Sequence, residues 1–166
     1  MAYLSKDDYT TVITQEYLDQ ILTQAAANST LTEDAIREDA ELTAQAEITS
    51  YLYAKYIIED EFAKTAPDET RNRIIMRCAM NIALYNIHFV INPRDVPETR
   101  EKAYDACLEK MAAFRDGELL FPPPPADGGM APRPPEEGGT SRININSHIK
   151  FISKPYSDIY PEDETV

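Results

Sequence analysis

The chain has 166 residues and a formal charge of -13, from 29 acidic and 16 basic side chains. At about 100–200 residues per domain, that length fits one domain with an appendage and excludes two full cores. The acidic balance works against non-specific nucleic-acid binding, and the sequence has neither a long uninterrupted apolar run nor a signal-peptide layout, which predicts a soluble, unsecreted protein with no membrane contact.

Ser5, ahead of Lys6, Asp7 and Asp8, has the form of a helix cap, its hydroxyl accepting from an orphan amide. Thr14 before Gln15 and Glu16 has the same form. These predict a short helix over 6–11 and a second over 15–27, with Tyr17, Leu18, Ile21 and Leu22 on one face. Asn28, Ser29 and Thr30 break the second helix. Thr32, with Glu33 and Asp34, opens the longest pattern, in which Ile36, Ala40, Ala44, Ile48, Tyr51 and Leu52 advance by three or four. This predicts a helix reaching about Phe62 or Lys64, with Pro67 ending the region.

From about Asp68 to Ile91, one face carries Ile75, Cys78, Ile82, Tyr85 and Phe89, with Ile74, Ala79, Ala83 and Ile87 beside it. So wide an apolar surface predicts a central, mostly buried helix, stopped by Asn92 and Pro93. Pro97 restarts the chain as a first helical residue, Ala103, Cys107, Met111 and Phe114 mark the buried stripe, and Gly117 ends it. The fold class is therefore all-α, a compact bundle of four main helices over 1–117.

All five glycines lie at or after Gly117, and nine of the twelve prolines lie beyond position 120. Residues 118–141, with Pro122 to Pro125 and two glycine pairs, read as a linker that is stiff at its prolines and flexible at its glycines. From Arg142 the pattern becomes period two: Ile143, Ile145, Ile149 and Phe151 alternate with polar residues. That predicts a β-strand arm over 142–166, tipped by Tyr156 and Tyr160, whose unsatisfied backbone would add to the sheet of another chain or pair with a copy of itself. A disordered tail is the alternative reading of the same residues.

Residues 1–50 carry ten acids against Lys6 and Arg37, so the N-terminal part is the acidic pole. Arg73, Arg77, Asn81 and His88 recur at helical spacing and form a candidate subunit interface facing an acidic neighbour, with a plain solvated face as the alternative. The tyrosines at 51, 53 and 56 cannot all share a face, so part of that cluster is a candidate contact surface, with Tyr51 assigned to the core. Nothing predicts an enzyme. The P-loop, dinucleotide, nucleophile-elbow and zincin motifs are absent, and the two histidines, one mid-helix and one mid-strand, belong to no convincing nucleophile and base arrangement. Adjacent carboxylates such as Glu38 with Asp39, or Glu59 to Glu61, point to different helix faces and read as surface charge. Cys78 and Cys107 are too few for a zinc site or a disulfide framework and fit a reduced core. No catalytic residue, metal site or cofactor is predicted.

The order of these features resembles the head-to-tail connector, or neck adaptor, proteins of tailed bacteriophages of the Mu-like neck type. The resemblance covers about residues 1–121. It rests on the opening MAYLSKDDY, the AELTAQAEITSYLYAKY and RNRIIMRCAMNIALYNIHF helices, and VPETREKAYDACLEKMAAFRDGELLF. The family-like positions are Ser50, Tyr51 and Leu52, then Ala79, Ala83 and Tyr85, then Gly117 with Leu119 and Leu120. The long Pro/Gly linker departs from the pattern. The resemblance implies a structural virion protein, assembled in the host cytoplasm into a ring, commonly of twelve copies, between the portal protein and the next neck or tail protein. DNA would pass through its lumen without specific binding, and the arm would latch onto neighbouring subunits or rings. The competing reading is a soluble acidic adaptor that binds a basic partner through its arm.

Overall fold

Three side-chain caps set the first helix starts. Ser5 and Asp8 close a reciprocal capping box ahead of a 3-10 turn over Lys6–Thr11, Thr14 caps α1 (Gln15–Ala27), and Thr32 caps α2 (Glu33–Leu52). The short α3 (Ile58–Phe62), α4 (Arg73–Ile91) and α5 (Glu98–Asp116) follow. The computed structural model describes residues 2–66, 70–121 and 129–134. Among the described residues the fold is all-helical, while the predicted strand arm over 142–166 and much of the linker fall outside them.

The expected helix to Phe62 or Lys64 is two pieces. The α-helix stops at Leu52 because the chain at Lys55–Ile57 pairs with the returning extension instead of continuing the helical ladder. Ile57 N–H donates to Ala131 C=O at 3.1 Å, Arg133 N–H donates to Lys55 C=O at 2.8 Å, and Tyr56 bridges Pro132. The central helix starts at Arg73 and not near Asp68, because the Asn72 side chain accepts from the amides of Ile74 and Ile75 at 2.9 and 3.2 Å. Pro97 sits one position outside α5, as its cap, with ψ 129°. Gly117 ends α5 at φ +86°, the left-handed conformation that favours glycine.

Helix α4 is the core of the bundle and is covered by α1, α2 and α5. It is long and apolar enough to cross a membrane, yet 56% of that span is buried inside the protein, as befits a central helix. Ile75, Cys78, Ala79, Ile82, Ala83 and Ile87 are buried as expected; Ile74 and Phe89, at the edges of the apolar face, are exposed. Helices α4 and α5 run antiparallel, since Lys110 lies by Arg73 and Arg77 at one end and Arg100 lies by His88 at the other. Tyr104 of α5 stacks on Tyr85 of α4 at 4.3 Å between ring centres and donates to Glu47 of α2 at 2.6 Å, joining three helices.

Two segments outside the four main helices complete the core. At the N-terminus, Tyr3, Leu4 and Tyr9 are fully covered. In the extension, Phe121 stacks face to face on Phe114 at 3.8 Å and meets Tyr56 edge-on at 5.1 Å, and Met130 is buried near it. Arg133 then clamps both carboxylate oxygens of Glu59 at 2.7 Å and lies 4.0 Å over the Tyr53 ring. The segment read as a linker thus contributes two side chains, Phe121 and Met130, to the core.

Candidate functional site

Along the outer side of α4, spacing by four brings Arg73, Arg77 and Asn81 onto one edge, where α5 supplies Lys110 opposite. They border an open groove of about 540 Å³ between the two helices. Asn81 is buried and fixed, its amide donating to Arg77 C=O at 3.0 Å. The groove floor holds Cys78 and Cys107, brought into contact from either helix; the hydrogen bond to Cys107, reinforced by burial, drives the Cys78 thiol far above its ordinary range. Such a thiol is protonated and unreactive at neutral pH. Ile74, Ala103 and Ala106 make the rest of the wall apolar. Among the described residues, Arg73, Arg77 and Lys110 form no ion pair and no side-chain hydrogen bond, so in a strongly acidic protein three cations are left facing an open groove.

His88 shares the helical stripe but not the groove. It lies about 10 Å further along α4 from Asn81, by the helical rise, and is buried against α1, with Tyr17 Oη 3.4 Å from its Nε2. Burial first, and Arg100 second, lower its pKa. Of the predicted stripe, then, Arg73 and Arg77 are exposed, Asn81 supports them from below, and His88 packs inside the bundle. In the tyrosine cluster Tyr56 is the core member, Tyr51 is half-buried beneath Arg115, and Tyr53 is exposed under Arg133. The arm residues Ile143, Ile145, Ile149, Phe151, Tyr156 and Tyr160 lie outside the described residues.

Two carboxylates are buried, and one of them, Glu61, belongs to a run that reads as surface charge. Glu61 is 2% exposed and accepts from Tyr3 Oη at 2.8 Å, Lys64 Nζ at 2.6 Å and the Asn72 amide. Glu41, also 2% exposed, accepts from Arg37 at 2.7 Å and Tyr9 Oη at 3.1 Å. Burial raises the Glu41 pKa, with Arg37 opposing. Both are structural ties, since each is enclosed by its donors. The acids left in solvent include Glu38 and Asp39; about 100° apart around the helix, they flank Leu42, 57% exposed, on the outer arc of α2 opposite the buried Ile36, Ala40, Ala44 and Ile48. Among the described residues no cluster of His, Cys, Asp or Glu could hold a metal ion.

Among the described residues the chain is thus an all-helical bundle with a cationic outer groove and two buried acids held by their donors. Residues 3–138 match the family model described as Bacteriophage Mu, Gp36. The match covers most of the chain, which belongs to that family and is a Mu-like phage protein of the structural or assembly kind. No curated protein and no solved structure matches the chain.

Proposed function

We propose that this chain forms an oligomeric ring in the phage neck, between portal and tail, that continues the DNA channel and needs no enzymatic activity or cofactor. The family match over residues 3–138 carries this reading, because it ties the chain to a Mu-like phage and so to a virion-associated place. The structure supports it with two unlike outer surfaces, the cationic groove and the acidic face of α2, since a ring is built from a contact between unlike surfaces repeated around an axis. The net charge of -13 suits a channel that DNA traverses without sticking. Residues 142–166 are proposed to latch the ring to a neighbouring subunit or ring.

Phage grown without this chain should accumulate filled heads and free tails that stay apart, counted by electron microscopy. Supplying the full chain should join them, and supplying residues 1–141 should not. Tails joined in its absence would overturn the neck reading and favour a soluble adaptor; full rescue by residues 1–141 would remove the latch alone.

A further inference from the structure

We propose that the groove between α4 and α5 is the receptor half of a contact with a second copy of this chain, and that its occupant is the outer face of that copy's α2. The groove presents Arg73, Arg77 and Lys110, none of them paired among the described residues, beside an apolar wall that includes Ile74, 38% exposed. The α2 face offers the complement: Glu38 and Asp39 are exposed and form no ion pair among the described residues, and Leu42 stands one turn further along. Leu42 would cover the apolar wall while the two carboxylates meet the three cations. The contact answers the apolar area and two of the three charges, and among the described residues the cations have no other counter-charge.

The occupant is a protein face and not a nucleic acid. A phosphate backbone would satisfy the cations and leave Ile74 and the alanines wet, and it would have to approach a chain of net charge -13. The donor face and the groove belong to opposite outer sides of the bundle, because α2 packs on α4 through the stripe facing away from Glu38, Asp39 and Leu42. The contact is therefore heterologous, with one groove and one donor face left open on every pair, and it propagates until it closes. This deepens the ring reading and rests on it for its biological setting, but the contact can be measured on the free protein.

Sedimentation of the full chain over a concentration series gives the test. The wild type should associate, and the association should weaken at least tenfold at about 1 M salt, where the screening length is about 3 Å. R77E/K110E should weaken it at least tenfold at low salt, and adding E38K/D39K to the same chain should restore it to within about threefold, as charge exchange across a real contact requires. All four side chains are exposed, so helical circular dichroism should be unchanged. Leu42→Asp, at a position already in solvent, is a second variant that should also weaken association.

A wild type that stays monomeric throughout, an R77E/K110E chain that associates normally, or a combined variant that folds but does not recover would overturn the contact. So would an R77E/K110E chain that associates normally yet loses binding to a duplex DNA probe, which assigns the groove to nucleic acid. Self-association through the groove in a chain absent from particles would leave the contact standing and remove the neck ring; a chain present in the neck whose R77E/K110E form assembles normally would do the reverse.

Discussion

Arg71 shows what a single side chain does for this fold. It is buried between α3 and α4, donates to both carboxylate oxygens of Asp8 at 2.9 and 3.0 Å and to Tyr3 C=O at 2.6 Å, and so fastens the N-terminal segment onto the bundle. Burial pushes the Asp8 carboxyl up, but hydrogen bonds from Arg71 and Ser5 outweigh it and hold the pKa below its ordinary 3.8. A carboxyl depressed on folding stabilises the fold above its unfolded pKa, and that contribution is lost as pH falls from about 4 through the folded value. Asp8→Asn should therefore cost about 2 kcal/mol at pH 7, by urea unfolding, and flatten the decline in stability below pH 4. Equal wild-type and variant stability at pH 7 would mean the tie contributes nothing. Arg71→Ala strands Asp8 half-buried without its partner and should cost more, about 3–5 kcal/mol.

At the scale of elements, the extension acts as a clasp over the bend that follows α2. Phe121 seats on Phe114 and Tyr56, and the backbone of residues 131–133 completes the hydrogen bonds of Lys55 and Ile57. Phe121→Ala should lower stability by about 3 kcal/mol in denaturant unfolding and speed hydrogen exchange at the Ile57 and Arg133 amides. A loss within about 0.5 kcal/mol, the size of an ordinary surface change, would show that the clasp is ornamental.

What the sequence shows of these elements follows the range of the interactions that form them. Ser5, Thr14 and Thr32 cap helices through amides three residues away, so their helices are legible from local spacing alone. The bend after Leu52 is not, because its partners are residues 131–133, and no periodicity in the α2 pattern records a strand returning from the extension. Glu61 reads as a surface acid for the same reason, since its tyrosine partner is 58 residues away, and the burial of Glu41 rests on a partner 32 residues away. The groove was half legible. Arg73, Arg77 and Asn81 recur by four, but Lys110 joins them only through the antiparallel placement of α5, and His88, alike in spacing, is taken by α1.

At the scale of the whole molecule, a bundle built around one central helix presents a groove of one charge and a helix face of the other on its outside. Under the proposed contact that arrangement would make self-association salt-sensitive and directional, and both properties suit the proposed ring. The most direct check of this account is quantitative mass spectrometry of purified particles, counting this chain against the portal subunit. A neck ring matched to the portal predicts a ratio near one, or about a dozen copies per particle. A chain missing from particles, or present at only a copy or two, would contradict the account.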